Sequence, residues 1–221
     1  MNNFIFVKLI QKYEIVSFDI FDTLVQRKVL EPTDVFFLAA KRCLNEKAAK
    51  HFLLDRIEAE NQARLRSNNR EIRIDDIYQI LYKKYGELSE VLMQSEIQEE
   101  VDQCTGITEN IELIKLSNSL GKKVILISDM YLYEQTINTI LSKCGISNYE
   151  ELFLSNRYNA VKGDGSLFAV ALNSIDASPK MIIHFGDSIK ADYLGARKYG
   201  VKCVLVHRKG RLKRILKKCK R

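Results

Sequence analysis

Four short polar segments stand at the ends of apolar runs, and they hold the side chains of this chain best suited to chemistry. Phe18-Asp19-Ile20-Phe21-Asp22-Thr23-Leu24 closes the first run, and Ile127-Ser128-Asp129 closes the second. Val161-Lys162-Gly163-Asp164 follows a weaker run, and Gly186-Asp187-Ser188-Ile189-Lys190-Ala191-Asp192 follows a fourth. Taken singly, each has a plain structural reading. An aspartate commonly ends a buried strand, Asp187 and Asp192 can cap the helix after them, and Lys162 can be a solvated loop charge. Taken together, they are carboxylates, a hydroxyl and a lysine. Carboxylate oxygens suit a hard cation such as Mg²⁺. A cation and a lysine are also what a carboxylate needs to approach a phosphate dianion, because they screen the repulsion.

The elements that position these residues are legible from hydropathy. Runs rich in Val, Ile and Leu at Glu14–Phe18, Lys123–Ser128, Met181–Phe185 and Lys202–Val206 predict buried parallel strands, with a weaker one at Glu151–Ser155. Helical periodicity marks Glu109–Leu120, Tyr133–Cys144, Ser166–Ile175 and Ile189–Tyr199. Gly121, Gly145 and Gly200 follow three of these, where a helix C-terminus favours glycine. Strand and helix alternate, so the expected fold class is α/β, a Rossmann-like open parallel sheet with helices on both faces. Ligands in such sheets sit beyond the carboxyl ends of the strands, where all four segments fall.

The alternation breaks from about Glu31 to Thr105, which has no strand-like run. Pro32 suits a first helical turn ahead of Val35, Phe36 and Ala39. Asp75 or Asp76 is placed to cap a helix with Ile77, Ile80 and Leu81 on its apolar face. Met93, Ile97, Val101 and Cys104 recur at helical spacing, as core packing does. The expected organisation is a core of residues 1–28 and 106–221 with an all-helical cap inserted at 29–105.

With its four segments in this order, each after a strand, the chain resembles the haloacid-dehalogenase-like hydrolase superfamily over almost its whole length, in the helical-cap class. The resemblance implies that Asp19 attacks phosphorus to give an aspartyl-phosphate, which water then hydrolyses. It implies that Ser128 hydrogen-bonds a phosphoryl oxygen, and that Lys162 holds the nucleophile and offsets charge developing in the transition state. Mg²⁺ would be bound by Asp19, the backbone carbonyl of Phe21 and Asp187, with Asp192 completing or orienting that shell. The expected partner is a small phosphorylated substrate. Such caps close over the phosphate site; Arg27, Arg70 and Arg73 are candidate anion-facing residues from the cap or its hinge, although arginines in such segments are more often simply solvated. The first segment and Ser128-Asp129-Met130-Tyr131-Leu132 are similar to a bacterial branch associated with surface-polysaccharide and glycosyltransferase pathways, which implies a sugar phosphate or related metabolite.

One position departs from the family's phosphatases. They usually carry a second aspartate two residues after the nucleophile, as the general acid for the leaving oxygen; here that residue is Phe21, and the next carboxylate is Asp22. Three readings stay open. Asp22 acts as the acid, the leaving group needs little protonation, or the protein binds phosphorylated ligands with little turnover. Dehalogenases and phosphonate-cleaving members also lack that acid, which makes carbon–halogen or carbon–phosphorus hydrolysis the alternative chemistry. Dehalogenases, however, generally dispense with the metal aspartates kept here as Asp187 and Asp192.

Composition narrows the remaining options. Nine Lys or Arg and no acid lie in residues 208–221, leaving the preceding 207 residues with 26 basic against 28 acidic side chains within a net charge of +7. A near-neutral body weakens any reading as a nucleic-acid binder. Leu212, Ile215, Leu216 and Cys219 give the tail the spacing of a basic amphipathic helix. Such a helix suits an anionic membrane surface or an acidic partner such as a glycosyltransferase, or docks on the core with its charges solvated. Five scattered cysteines, no bilayer-length apolar run and no cleavable leader point to the cytoplasm, with the tail as a peripheral contact at the inner membrane surface. His51, His184 and His207 lack metal-ligand spacing, and His184 reads as core.

Overall fold

The computed structural model describes residues 3–68 and 71–206. Arg70, His207 and the basic tail at 208–221 lie outside them. Five strands form one parallel sheet: β1 (Ile15–Phe18), β4 (Lys123–Ser128), β5 (Glu151–Leu154), β6 (Ile182–Gly186) and β7 (Lys202–Leu205), in the order β5-β4-β1-β6-β7. The three central strands are buried almost throughout. That is why they read as unbroken apolar runs, since a parallel sheet covered on both faces has no polar side to show. The register places Phe18 opposite Leu126 on one side and Phe185 on the other, so the carboxyl ends of β4, β1 and β6 are level.

Around this sheet run α1 (Asn3–Ile10), α6 (Thr108–Ser119), α8 (Ser155–Tyr158), α9 (Ser166–Ser174) and α10 (Gly195–Lys198), while α7 (Glu134–Lys143) follows β4 in the chain. Gly121, Gly145 and Gly200 follow α6, α7 and α10 with φ of +68°, +74° and +75°. On one side of the sheet Ile125, Ile127, Phe153, Leu167, Phe168, Ala171 and Ile182 pack together. Each large apolar side chain buried this way contributes about 1.5–3 kcal/mol. Phe18 stacks on Phe185 with ring centroids 5.2 Å apart, tying β1 to β6 just below the catalytic edge.

The chain divides into two compact units. Among the described residues, the first takes residues 3–26, 106–130 and 141–206, and contains the sheet. The second takes Arg27–Thr105 with Tyr131–Ile140 and contains α2 (Asp34–Lys41), α3 (Glu46–Arg66), α4 (Ile74–Tyr85) and α5 (Leu88–Gln103). Two short strands that the hydropathy pattern does not announce, β2 (Val25–Arg27) and β3 (Cys104–Gly106), form a two-stranded sheet. Three residues are too few to show an alternation.

Details inside the helical unit differ from expectation. The second helix begins at Asp34, with Pro32 in the turn before it, whose carbonyl accepts the Val35 N–H. Asp76 caps α4 from inside its first turn, while the N-cap residue itself is Arg73. The helix starts one residue earlier, at Ile74, and Asp76 reaches back from its first turn to accept the Arg73 N–H at 2.8 Å. In α5 the half-buried positions are Met93, Ile97 and Val101, while the buried face carries Ser89, Leu92, Ser95, Glu96, Glu99 and Glu100. Arginines from distant parts of the unit make that possible. Arg56 makes a double hydrogen bond to Glu96, both at 2.7 Å. Arg27 bonds Glu100 at 2.8 and 3.1 Å, and Arg42 bonds Glu99 at 2.7 Å.

Candidate active site

Asp19 immediately follows β1, and its position is fixed by its own backbone, whose N–H donates to the Phe185 carbonyl at 2.9 Å. The side chain is buried and accepts a 2.5 Å hydrogen bond from Lys162 Nζ. Lys162 is only 3% exposed and also donates to Asp192 Oδ1 at 2.6 Å. A solvated loop charge would not be so placed. One carboxylate oxygen from each of Asp19, Asp187 and Asp192 can lie within 4.8 Å of the others. The structure therefore brings together four residues that are up to 173 positions apart in the chain.

The supports of these groups are local and specific. Lys162 is set by its backbone, since its N–H donates to Asp129 Oδ1 at 2.9 Å, and Met130 N donates to Ser155 Oγ at 2.9 Å. A side chain on Gly195 would put its Cβ 1.9 Å from the Lys162 carbonyl oxygen, so only glycine lets α10 approach that loop. Gly186 plays the same part for Asp192, whose carboxyl carbon lies 2.3 Å from where a Cβ would be. The helix expected at Ile189–Tyr199 is instead a π-wound turn, Ile189–Leu194, followed by α10. Tyr193 N–H reaches back five residues to the Ser188 carbonyl at 3.0 Å. The wide turn faces Asp192 inward, where its Oδ2 accepts the Ser188 N–H at 2.8 Å. Such turns recur at functional sites.

Ser128 is the buried last residue of β4 and, from the register, lies one residue further along the carboxyl edge than Asp19. Phe21 pairs with Val25 in an isolated bridge, and Asp22 takes the left-handed backbone, φ +61°, with its N–H donating to the Val25 carbonyl at 2.6 Å. The role of Asp22 in the sequence thus includes a backbone one, because aspartate tolerates that conformation better than most residues. Arg27 is committed to Glu100, and Arg73 precedes α4.

His184 lies in the core of β6 as expected, but it also reaches the site, with Nε2 3.3 Å from Asp192 Oδ1 and Nδ1 2.7 Å from Ser17 Oγ. Sequence reasoning missed Ser17, Asp129 and His184 as neighbours of the site. The available signal was a pair of polar residues inside runs that are otherwise wholly apolar.

The electrostatics are unbalanced. Burial, with the nearby charges of Asp192 and Asp187, pushes the Asp19 carboxyl up to about 7 against the pull of Lys162. Burial also works to raise Asp192, but the charge of Lys162 and the hydrogen bond from His184 hold it below the ordinary carboxylate range. Burial opposes the Lys162 ammonium, yet the charges of Asp19 and Asp192 keep it above the usual lysine range. Asp19 and Asp192 thus share one lysine, with an oxygen of Asp187 within 4.8 Å of theirs, and such a set of carboxylate oxygens fits a hard divalent cation. Asp19, Asp187 and Asp192 are the residues that could hold it.

Comparison with known proteins agrees with this architecture. The chain is 28% identical over 109 residues to haloacid dehalogenase-like hydrolase domain-containing protein 3 of Danio rerio; the match covers 46% of this chain and 44% of that relative, so it spans less than half of the relative's length. Among solved structures, a HAD-hydrolase from Bacillus subtilis bound to magnesium is similar with a TM-score of 0.61 at 16% identity, covering 93% of this chain and 99% of that one. The L-2-haloacid dehalogenase of Xanthobacter autotrophicus gives 0.62 at 13% identity, covering 93% and 83%. A HAD phosphatase from Thermococcus onnurineus gives 0.61 at 17%, covering 89% and 87%. At these identities the structural likeness speaks for the fold. The model of the haloacid dehalogenase-like hydrolase family matches residues 18–206, from the end of β1 to just past β7, and this chain belongs to that family.

Proposed function

We propose that the protein is a Mg²⁺-dependent phosphatase acting on a small phosphorylated metabolite, with Asp19 as its nucleophile. The observation that supports this most is the buried Lys162, bonded at once to Asp19 and Asp192 and with Asp187 beside them. Haloacid dehalogenases generally dispense with the metal aspartates kept here as Asp187 and Asp192. Asp19 Oδ attacks phosphorus, the bond from phosphorus to the leaving oxygen breaks, and an aspartyl-phosphate forms. Water then attacks phosphorus, releasing inorganic phosphate and restoring the Asp19 carboxylate. Bound Mg²⁺ would draw charge from the phosphoryl oxygens and lower the repulsion between Asp19 and the substrate. Lys162 keeps Asp19 aimed and offsets charge in the transition state, and Ser128 at the end of β4 hydrogen-bonds a phosphoryl oxygen.

Phe21 offers no proton to the leaving oxygen. The leaving group is therefore either protonated by Asp22 or weakly basic. The helical unit would serve as the cap of this enzyme. The similarity of the first two segments to a polysaccharide-associated branch favours a sugar phosphate as substrate, used in the cytoplasm, with the basic tail as the contact to an anionic membrane or a glycosyltransferase. Among the described residues no helix is long and apolar enough to cross a membrane.

A second reading rests on Phe21 alone: cleavage of a carbon–halogen or carbon–phosphorus bond, which needs no acid at that position. The experiment is turnover of an activated aryl phosphate and a panel of sugar phosphates, with and without Mg²⁺, by wild type and Asp19→Asn. Metal-dependent phosphate release, lost by at least about 10⁴-fold in the variant as for other covalent nucleophiles, is the expected result. Halide release from a 2-haloacid without phosphate release would overturn the phosphatase reading in favour of the second. Ligand binding without turnover would make the protein a binding module.

A further inference from the structure

A chain of buried polar groups leads away from the catalytic edge into the sheet and has no counterpart in the chemistry described above. Ser17 on β1 is opposite His184 on β6, and both are fully buried between strands that are otherwise apolar. Ser17 Oγ lies 2.7 Å from His184 Nδ1, and His184 Nε2 lies 3.3 Å from Asp192 Oδ1. The Phe168 ring packs nearly perpendicular to the imidazole, with centroids 4.9 Å apart. Asp192 in turn bonds Lys162, and Lys162 bonds Asp19, two residues along β1 from Ser17. The path therefore returns to the strand on which it began.

Burial in the apolar sheet disfavours the charged imidazolium, and for the neutral ring hydrogen-bond accounting selects one proton arrangement. A serine hydroxyl has a single hydrogen, and the only other acceptor at hand, the Ile183 carbonyl, is 3.5 Å away. If Nδ1 carried the imidazole proton, Ser17 would be left with that long bond, and the lone pair of Nε2 would face a carboxylate oxygen. If Nε2 carries it, Ser17 donates at 2.7 Å and Nε2–H donates to Asp192. Both contacts are then favourable.

We propose that Ser17 and His184 are positioning residues for Asp192: Ser17 holds the neutral imidazole in its Nε2–H form, and that N–H fixes the Asp192 carboxylate toward Lys162 and the cation site. This rests on the metal-dependent reading above. Asp192 Oδ1 then receives Lys162 and His184 while Oδ2 receives the Ser188 N–H, so three donors from three elements fix the plane of the carboxylate.

The test uses the full chain stripped of metal, with Ser17→Ala, His184→Leu and His184→Gln. Long-range ¹H–¹⁵N spectra report which ring nitrogen carries the proton, and calorimetry with MgCl₂ gives the affinity for the metal alone. The expected result is an Nε2–H ring in wild type that becomes a mixture in Ser17→Ala. His184→Leu is expected to weaken Mg²⁺ about 10-fold or more, the scale on which such supporting partners act. His184→Gln, whose amide reaches the same place, should recover to within about threefold of wild type. An Nδ1–H ring in wild type, or a folded His184→Leu with unchanged affinity, would overturn the proposal. Wild type that binds no Mg²⁺ would sink the metal reading of the site instead, and the ring spectra would still decide the tautomer.

Discussion

Each unit of this molecule buries a cluster of charges, and the two clusters are built on opposite principles. In the helical unit every buried carboxylate has its own guanidinium: Glu96 has Arg56, Glu100 has Arg27 and Glu99 has Arg42. Arg56 is wholly buried, lies 4.1 Å from the centroid of Phe36, and its partner Glu96 also accepts from Tyr78 Oη at 2.8 Å. The three buried carboxylates are matched by three guanidinium groups, and the further carboxylates that Arg56 and Arg42 bond, Glu60 and Asp102, lie at more exposed positions, so nothing buried in it calls for a ligand. At the carboxyl edge of the sheet, the buried Asp19 and Asp192 share Lys162, and the half-buried Asp187 has an oxygen within 4.8 Å of theirs. Burial of paired charge specifies a structure, whereas burial of surplus charge stores a demand that an added cation can meet. The difference marks one cluster as architecture and the other as a site, even though both rest on similar residue types.

The comparison is broken most forcefully in the helical unit. Arg56→Met leaves Glu96 buried without its cation and should cost about 3–5 kcal/mol, read as a fall in the urea midpoint. Adding Glu96→Leu should return part of that loss, because the pair is removed together. It should not return all of it, since Tyr78 Oη loses its 2.8 Å bond to Glu96 and keeps only the 3.2 Å bond to the Leu92 carbonyl. Equal loss in the single and double variants would show that the ion pair is not what the unit depends on.

The site should respond with the opposite sign. Mg²⁺ at a hundredfold excess over its Kd should stabilise wild type by about 2.7 kcal/mol, seen as a rise in melting temperature that Asp187→Asn abolishes. Without metal, Asp19→Asn removes one of the competing carboxylates and should stabilise the protein by about 1 kcal/mol, on the scale by which active-site residues trade stability for function. Destabilisation of the metal-free protein by Asp19→Asn would mean that the Lys162 ion pair outweighs the surplus charge.

What the sequence made legible follows the same division. The five strands of the sheet and the residues that end them were readable because central parallel strands are buried on both faces and leave an unbroken apolar signal, as Val124–Ile127 does. Asp19, Lys162, Asp187 and Asp192 stood out because polar residues of these types close such runs in a fixed order. The face of α5 was misread because its buried glutamates are neutralised by Arg27, Arg42 and Arg56, 57 to 73 residues away within each pair for the first two, and hydropathy is blind to such pairing. The π-wound turn at Ile189–Leu194 escaped for a related reason. One extra residue per turn leaves no periodic trace in a segment this short, and its effect is felt only where Asp192 meets Lys162 and His184.

The smallest expected effect falls at Asp22, where backbone and chemistry compete for one residue. Its φ of +61° is the left-handed conformation, which costs a residue with a Cβ about 1 kcal/mol or more relative to glycine. Asp22→Gly relieves that cost and surrenders whatever the carboxylate contributes. Its net stability change is therefore expected within about 1 kcal/mol of wild type, or about 2–4 °C in melting temperature for a chain of this size. Asp22→Asn keeps both the shape and the tolerance for a left-handed backbone while removing the ability to donate a carboxylic proton. If Asp22 replaces the acid missing at Phe21, Asp22→Asn loses turnover of alkyl phosphates while keeping that of an aryl phosphate, whose leaving group needs no proton. If turnover of both substrates survives in Asp22→Asn, the residue is there for the turn, and the enzyme works on leaving groups that depart unaided.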